Sequence, residues 1–353
     1  MKRTPKKRKD TIEEITEQVE KILHERGSKA LEAARNEILQ EEFECKEVRE
    51  ALIYFMSQYW KDVFRPTLLS LACEAVGGDP NITTPIAIPM ILISGAIDIH
   101  DDIIDQSKIK ESRPTVLGKF GKETAVIAGD ILLFKGFTSL CEAIGKGIPV
   151  EKAAVIVDII RRTFFELADA EALELDFRAR IDITPEEYLY ATRKKAADME
   201  AYTRISAILG GGSKEEIEAL GEYGRLLGMM LILRDDLIDI VDFEEAVHRI
   251  KKEHPPLPIL YALQNPEIKS TLSPILLKKT IRKKDAKAIL EITGKAGGLK
   301  NIGNLLQEMV ENAYRQVENL KQNKKSFRLI AQSIASFYSY AEKISRANPK
   351  QVS

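Results

Sequence analysis

The sequence predicts an all-α protein, a single-domain bundle of about 10–14 helices. Three observations carry this. Apolar residues recur at helical period through almost the whole chain, and the alternation expected of strands is nearly absent. Helix starts carry recognisable caps and first-turn residues, as in Thr184-Pro185-Glu186-Glu187 and Ser213-Lys214-Glu215-Glu216. No tandem repeat or low-complexity linker divides the chain.

The elements follow in order. Lys2-Arg3 and Lys6-Lys7-Arg8-Lys9 lack a following apolar segment, so residues 1–10 read as a basic disordered arm rather than a secretory signal. One domain over 11–353 follows. Thr11–Arg26 is amphipathic, and Ser28 can cap a long helix running towards Tyr59. An apolar helix, Thr67–Val76, stops at Gly77-Gly78-Asp79-Pro80. A very apolar one spans 84–105, and a polar loop occupies Gln106–Pro114. Helices are expected over 122–144, 150–179, 185–209 and 213–241. Lys251–Pro258 is a Pro-bearing break. An apolar run at 259–263, shorter helices within 270–292, and two longer ones at 302–322 and 327–346 close the chain.

Composition excludes several functions. A hydrophobic content of 44% supports a sizeable core, while a net charge of −1 gives no basic field for nucleic acid. Cys45, Cys73 and Cys141 are odd in number and lack metal-ligand spacing, which fits a reducing cytoplasm. The nearest candidate for a membrane span, Ile86–Ile97, is too short and carries Pro89, so no transmembrane segment is expected.

The chemistry concentrates in two aspartate sets, Asp101-Asp102-Ile103-Ile104-Asp105 and Asp235-Asp236-Leu237-Ile238-Asp239. The first and last aspartates of each lie one helical turn apart on one face. Carboxylates in an apolar run need cations to compensate their desolvation. Mg²⁺ suits the spacing, since it takes one or two carboxylates and leaves positions for phosphate oxygens. All six aspartates are therefore candidate metal ligands.

With these sets, Arg65-Pro66, Arg113-Pro114-Thr115, Ala125-Val126-Ile127-Ala128-Gly129-Asp130, Leu175-Asp176, Lys195-Ala196-Ala197 and Pro256-Leu257-Pro258 fall in a familiar order. From about Arg65 to Leu263 the chain resembles the trans-isoprenyl diphosphate synthases, the polyprenyl synthetase family. The resemblance implies a helical bundle around a deep central cavity and a homodimer. It implies an allylic prenyl diphosphate held by Mg²⁺, three ions per site, and extended with isopentenyl diphosphate to a C20 or longer product. It also implies diphosphate contacts from Lys110, Lys195, Arg249, Arg65 and Arg113, with Lys195 and Asp176 as catalytic residues.

The departures gather on one side. Lys110 and Arg249 exchange arginine and lysine with the family but keep their charge. On the acceptor side the family's lysine is replaced by Asp62, a His or Gln position is Ser94, and a second arginine is Glu111. A carboxylate 4 Å from a diphosphate charge costs about 4 kcal/mol at an effective dielectric near 20. Two glutamines near the reacting carbons fall on Ile232 and, aligned from Asp176, Leu173. Substitute contacts are sought from Lys61, Arg113, Lys343, Arg346 and Lys350. The alternatives are another acceptor, internal cyclisation of the terpene synthase kind, or a non-catalytic subunit of a heteromeric synthase. Small residues at the family's chain-length positions, Ala96 and Ile97, predict a cavity open to long prenyl chains. His100 is expected to pack or to orient a carboxylate, and Asp98 to add an outer acceptor or a solvated group. Phe164, Phe165, Tyr188 and Tyr190 are expected in the core.

Overall fold

The computed structural model describes residues 5–110, 112–145, 148–178 and 180–346, with side chains outside 5–11 and 339–346. Its helices, in chain order, begin with α1 (Pro5–Leu39), α2 (Lys46–Tyr54), α3 (Phe64–Ala75) and α4 (Thr84–Ile104). A two-residue hairpin, β1 (Ile109–Lys110) paired antiparallel with β2 (Arg113–Pro114), is the one sheet among the described residues. There follow α5 (Val116–Phe120), α6 (Lys122–Gly145), α7 (Val150–Phe177), α8 (Pro185–Lys195), α9 (Ala197–Leu209) and α10 (Lys214–Asp239). The chain closes with α11 (Phe243–Lys252), α12 (Leu257–Leu263), α13 (Pro266–Leu276), α14 (Lys283–Lys295), α15 (Gly298–Val317) and α16 (Lys324–Arg346).

Local chemistry explains most of these boundaries. Capping boxes at Thr184/Glu187 and Ser213/Glu216 open α8 and α10, as their sequences predict. Asp62 Oδ1 accepts from the Phe64 and Arg65 amides and so fixes the start of α3. Asp242 does the same for α11, accepting from Glu244 and Glu245. That helix was not expected, because the stretch before Pro255 reads from sequence as a connection.

Three more breaks differ from expectation. α1 runs through Gly27 instead of ending there, and takes in positions 5–10 of the segment read as an arm; residues 1–4 lie outside the described residues. A Cβ on Gly27 would stand 2.2 Å from the Val63 carbonyl oxygen, so this glycine permits helix packing rather than a turn. The helix expected up to Tyr59 is broken after Leu39 and widens to a π-turn over Phe55–Tyr59 before Trp60 becomes extended. The helix expected over 185–209 breaks at Ala196, where ψ is near 2°. Gly228 of α10 packs directly on that break, a Cβ there falling 2.7 Å from the Ala196 Cβ.

Two apolar cores flank the centre. One joins α10, α12, α15 and α16 through residues such as Leu227, Leu260, Leu306 and Phe327. The other joins α2, α4, α6 and α9 through Leu52, Ile91, Leu132 and Ile205. Helices α4 and α6 have the length and composition of membrane spans, but α4 packs along α6 with two thirds of its apolar window buried, as a core helix does. Between the two cores the start of α3, α4, α7, the α8–α9 break and α10 enclose a central cavity of about 350 Å³.

Candidate active site

One end of the cavity is built by the two aspartate sets. The last turn of α4 presents Asp101, and the last turns of α10 present Asp235, to the same space. Lys195, the last residue of α8, lies between the first set and α7. Its Nζ donates to Asp101 Oδ1 (3.2 Å) and Glu174 Oε2 (2.6 Å) and pairs with Glu171 Oε1 (3.0 Å). Lys110, on β1, lies 3.3 Å from Asp101 Oδ2 and 2.8 Å from Asp102 Oδ1. Burial works against the Asp101 charge, but Lys195 and Lys110 outweigh it and hold the carboxyl below its usual range. Asp105 behaves oppositely. Burial, then Asp101 and Glu253, push it up to about 8, although Arg178 stands 3.3 Å away.

In the second set, Asp235 is open to the cavity and receives Arg234 at 2.7 Å. Asp239 is bound by Arg249 Nη1 at 2.7 Å. Asp236 points the other way. It is fully buried, with Oδ1 receiving Arg249 Nη2 (3.0 Å) and Oδ2 receiving the Tyr188 hydroxyl (2.7 Å) and the Leu257 amide (3.1 Å). Asp102, the second aspartate of the first set, is likewise buried, and burial pushes both carboxyls up to about 6. A residue one step along a helix is turned by about 100°, so adjacent aspartates cannot share a face. The expectation that all six line the metal site is therefore not met by Asp102 and Asp236, which are buried, while Asp101 and Asp235 line the cavity.

The opposite end differs in kind. Arg65 Nε donates to Asp198 Oδ2 (2.8 Å) and Nη1 to Asp62 Oδ2 (2.6 Å). Asp98 lines the same space and receives the Trp60 indole N–H at 2.5 Å. Burial pushes the Asp98 carboxyl up to about 6. Ser94 and Tyr202 hydrogen-bond each other at 3.0 Å beside it, both buried. One cation thus faces three carboxylates, two of them already bonded to it.

Several expected residues lie elsewhere. The Asp176 side chain is 73% exposed and pairs with Arg180, so it is not in the site. Glu174, two residues earlier and about 200° round the helix, faces inward with Glu171. Glu171, not Leu173, lines the cavity. Ile232 does line the cavity. Ala96 is fully buried in the core and Ile97 alone of that pair faces the cavity. Arg113 donates to the Tyr59 carbonyl at 3.3 Å and stacks over its ring, apart from the cavity wall. Lys61 is exposed. Glu111 and Lys350, and the side chains of Lys343 and Arg346, lie outside the described residues. His100 pairs with Asp130 at 3.2 Å, as expected of an orienting group. Phe164 and Tyr202 border an apolar extension of the cavity, Tyr188 is core, and Phe165 and Tyr190 are exposed, contrary to expectation.

Sequence reasoning placed Tyr188 only in the core, gave Glu171 and Glu174 no role, and did not single out Asp198, Arg178 or the α11 residues His248 and Glu253 of the supporting shell. His248 Nε2 contacts the Asp105 carbonyl (3.1 Å) and so ties α11 to the end of α4. A helical-wheel placement of Glu171 and Glu174 on the apolar face of α7 is the one signal that would have found them.

No three His, Cys, Asp or Glu side chains among the described residues form a cage able to hold an ion by themselves. That suits Mg²⁺, which uses one or two carboxylates together with water and substrate phosphate oxygens. The hard oxygen donors of Asp101, Asp105, Asp235 and Asp239 fit it.

The fold and the paired aspartate helices define an all-α enzyme-like scaffold of the isoprenoid synthase kind. Structures of the same fold include the geranylgeranyl pyrophosphate synthetase of Pyrococcus horikoshii, with TM-score 0.72, 24% identity, 97% of this chain and all of that one. The polyprenyl synthetase of Streptomyces coelicolor is another, with TM-score 0.76, 20% identity, 92% of this chain and 99% of that one. Residues 45–293 match the polyprenyl synthetase family, and the chain belongs to it. Among its relatives, a short chain isoprenyl diphosphate synthase of Methanothermobacter thermautotrophicus is 39% identical over 52% of this chain and 55% of its own length. A geranylgeranyl diphosphate synthase of Methanosarcina mazei is 35% identical over 56% of this chain and 62% of its own. The chain thus matches these two relatives over little more than half of their length.

Proposed function

We propose that the protein is a Mg²⁺-dependent trans-prenyltransferase that ionises an allylic prenyl diphosphate. The observation that carries this is the convergence of Asp101 and Asp235, from two helices, on one cavity beside Lys195. Asp101, Asp105, Asp235 and Asp239 would hold the ions, three when a diphosphate is bound, and these would neutralise charge developing on the departing pyrophosphate. Lys195 and Lys110 now neutralise Asp101, and Arg249 neutralises Asp239. With a diphosphate present their N–H groups turn to its oxygens and stabilise the leaving group. The apolar wall of Ile97, Leu167, Leu231 and Ile232 keeps water from the allylic cation.

For the acceptor, the names of the relatives support extension with isopentenyl diphosphate, to C20 or longer with Ile97 rather than an aromatic on the cavity wall. The carboxylates around Arg65 point away from that acceptor. A homodimer is supported by the outer face of α6, where Phe134 is 74% exposed among Ile127 and Phe137. A cytoplasmic setting is supported by the three free cysteines.

Pyrophosphate release from geranylgeranyl diphosphate tests the donor chemistry. It requires Mg²⁺, stops with a chelator, and falls by about a hundredfold or more in Asp101→Ala. Full activity of that variant refutes the assignment.

A further inference from the structure

Resting on the reading of isopentenyl diphosphate as acceptor, we propose that Arg234 is the cavity residue that takes the acceptor's diphosphate. Asp235 holds it back until Mg²⁺ occupies that carboxylate. Arg234 and Asp235 share the cavity lining with Phe64 and Arg65, the first two residues of α3. Three observations carry the inference.

The first is the kind of bond that holds Arg234. Its Nε and Nη2 both donate to a single oxygen, Asp235 Oδ1, at 3.0 and 2.7 Å. Adjacent residues on a helix point about 100° apart, so the side chain curls back along α10 to make these bonds. They lack the parallel two-oxygen geometry of a strong arginine–carboxylate pair. Other cations of the cavity are held by more partners. Arg65 is bonded to Asp62 and Asp198, and Asp62 is itself fixed by the start of α3. Lys195 meets Asp101, Glu171 and Glu174. Losing one carboxylate frees Arg234 from its bond to Asp235, whereas Arg65 and Lys195 would keep other partners.

The second is that this exchange belongs to the metal site. Asp235 is a carboxylate that the donor reading assigns to Mg²⁺, and its side chain is 51% exposed. Once a divalent ion takes its charge, Arg234 loses its counter-charge and is repelled by the ion beside it. The guanidinium so released borders the cavity.

The third is a support that the exchange leaves in place. The Phe337 ring of α16 has its centroid 5.6 Å from Arg234 Cζ. A ring at this distance attracts the cation and orients its plane, which presents the N–H fork to two phosphate oxygens. Because α10 and α16 pack together, Phe337 stays beside Arg234 when the carboxylate is lost. Acceptor binding thereby depends on the metal through one residue pair.

The test measures isopentenyl diphosphate binding to the full chain by titration calorimetry, with and without Mg²⁺ and geranylgeranyl thiolodiphosphate, whose carbon–sulfur bond resists ionisation. Steady-state elongation of geranylgeranyl diphosphate runs beside it. Arg234→Gln should raise Kd and KM for isopentenyl diphosphate about ten- to a hundredfold, while Kd for the thiolodiphosphate moves less than about twofold. Arg234→Lys should recover part of the loss. Asp235→Ala frees the arginine without metal, so metal-free binding of isopentenyl diphosphate should tighten about tenfold or more. The double variant with Arg234→Gln should lose that gain, which a merely structural role would not produce. Phe337→Ala, at a partly exposed position, should weaken isopentenyl diphosphate about two- to fivefold.

Equal weakening of both diphosphates in Arg234→Gln overturns the inference, because Arg234 then serves the metal site. Unchanged isopentenyl diphosphate affinity in that variant overturns it too, as does the lack of a metal-free gain in Asp235→Ala. A wild-type chain that releases pyrophosphate with Mg²⁺ but never elongates overturns the acceptor reading and this inference together, and leaves the donor reading standing.

Discussion

The two ends of the cavity are both rich in carboxylates, yet they are not alike. At the donor end, aspartates one turn apart project from α4 and α10, with Lys110, Lys195 and Arg249 close by. Lys110 and Lys195 sit on long side chains able to turn from carboxylate to another anion, whereas Arg249 is also held by the buried Asp236 and by Glu253. At the acceptor end the carboxylates are tied into the fold, Asp62 by the start of α3, Asp198 by Arg65 and Asp98 by Trp60. Breaking a buried pair of this kind by removing one partner costs about 3–5 kcal/mol. Similar residue types therefore make an exchangeable site at one end and a fixed scaffold at the other.

The sharpest way to break this comparison lies within one aspartate set. Asp235→Ala should lower pyrophosphate release by about a hundred- to a thousandfold while leaving thermal stability nearly unchanged. Asp236→Ala should instead destabilise the fold by about 3–5 kcal/mol, because Tyr188, Arg249 and the Leu257 amide lose their shared acceptor. Denaturant titration beside single-turnover kinetics separates them, and equal stability losses would collapse the distinction between exposed and sunken aspartates.

A smaller effect separates the cavity wall from the core behind it. Ala96→Phe should cost about 1–3 kcal/mol through overpacking, since Ala96 is fully buried in the core. Ile97→Phe should leave stability nearly intact and shift preference towards shorter allylic diphosphates, measured by competition between farnesyl and geranylgeranyl diphosphate. Length selectivity that follows Ala96 rather than Ile97 would reverse this assignment.

Acid provides the mildest probe, aimed at the floor of the donor end. His254 is buried against Phe177 and Tyr188, and burial, then Arg249, push its pKa down to about 3. The unfolded value is about 6.5. Between the two, the unfolded chain binds more protons, so this stability is complete above about pH 6.5 and is lost as pH falls towards 3. Urea unfolding should show about 1–2 kcal/mol less stability at pH 5 than at pH 7 from this group. His254→Gln should flatten that slope, and an unchanged slope would mean that the donor floor is wet.

The aspartate sets, the caps at Thr184 and Ser213, and the helical period are local features, with causes lying within one turn of chain. The all-α fold and the helices bearing the donor site follow from them, so sequence alone determined that much. Lys110, Lys195 and Arg249 were expected, through resemblance, to contact a diphosphate, and the structure pairs them with Asp101, Asp102, Asp236 and Asp239. Other features depend on what meets across the bundle. The break at Ala196 reflects its contact with Gly228, and the straight run through Gly27 reflects its contact with Val63. Glu171 rather than Leu173 faces the cavity because the rotation of α7 is fixed by its neighbours, not by the motif at its end. The sinking of Asp236 needed Tyr188 and Leu257 beneath it, and the fixing of Arg65 needed Asp198, which is distant in sequence and adjacent in space. A period or a cap is written in neighbouring residues. Which carboxylate is free and which is held is decided by partners that only the folded chain brings within 3 Å of each other.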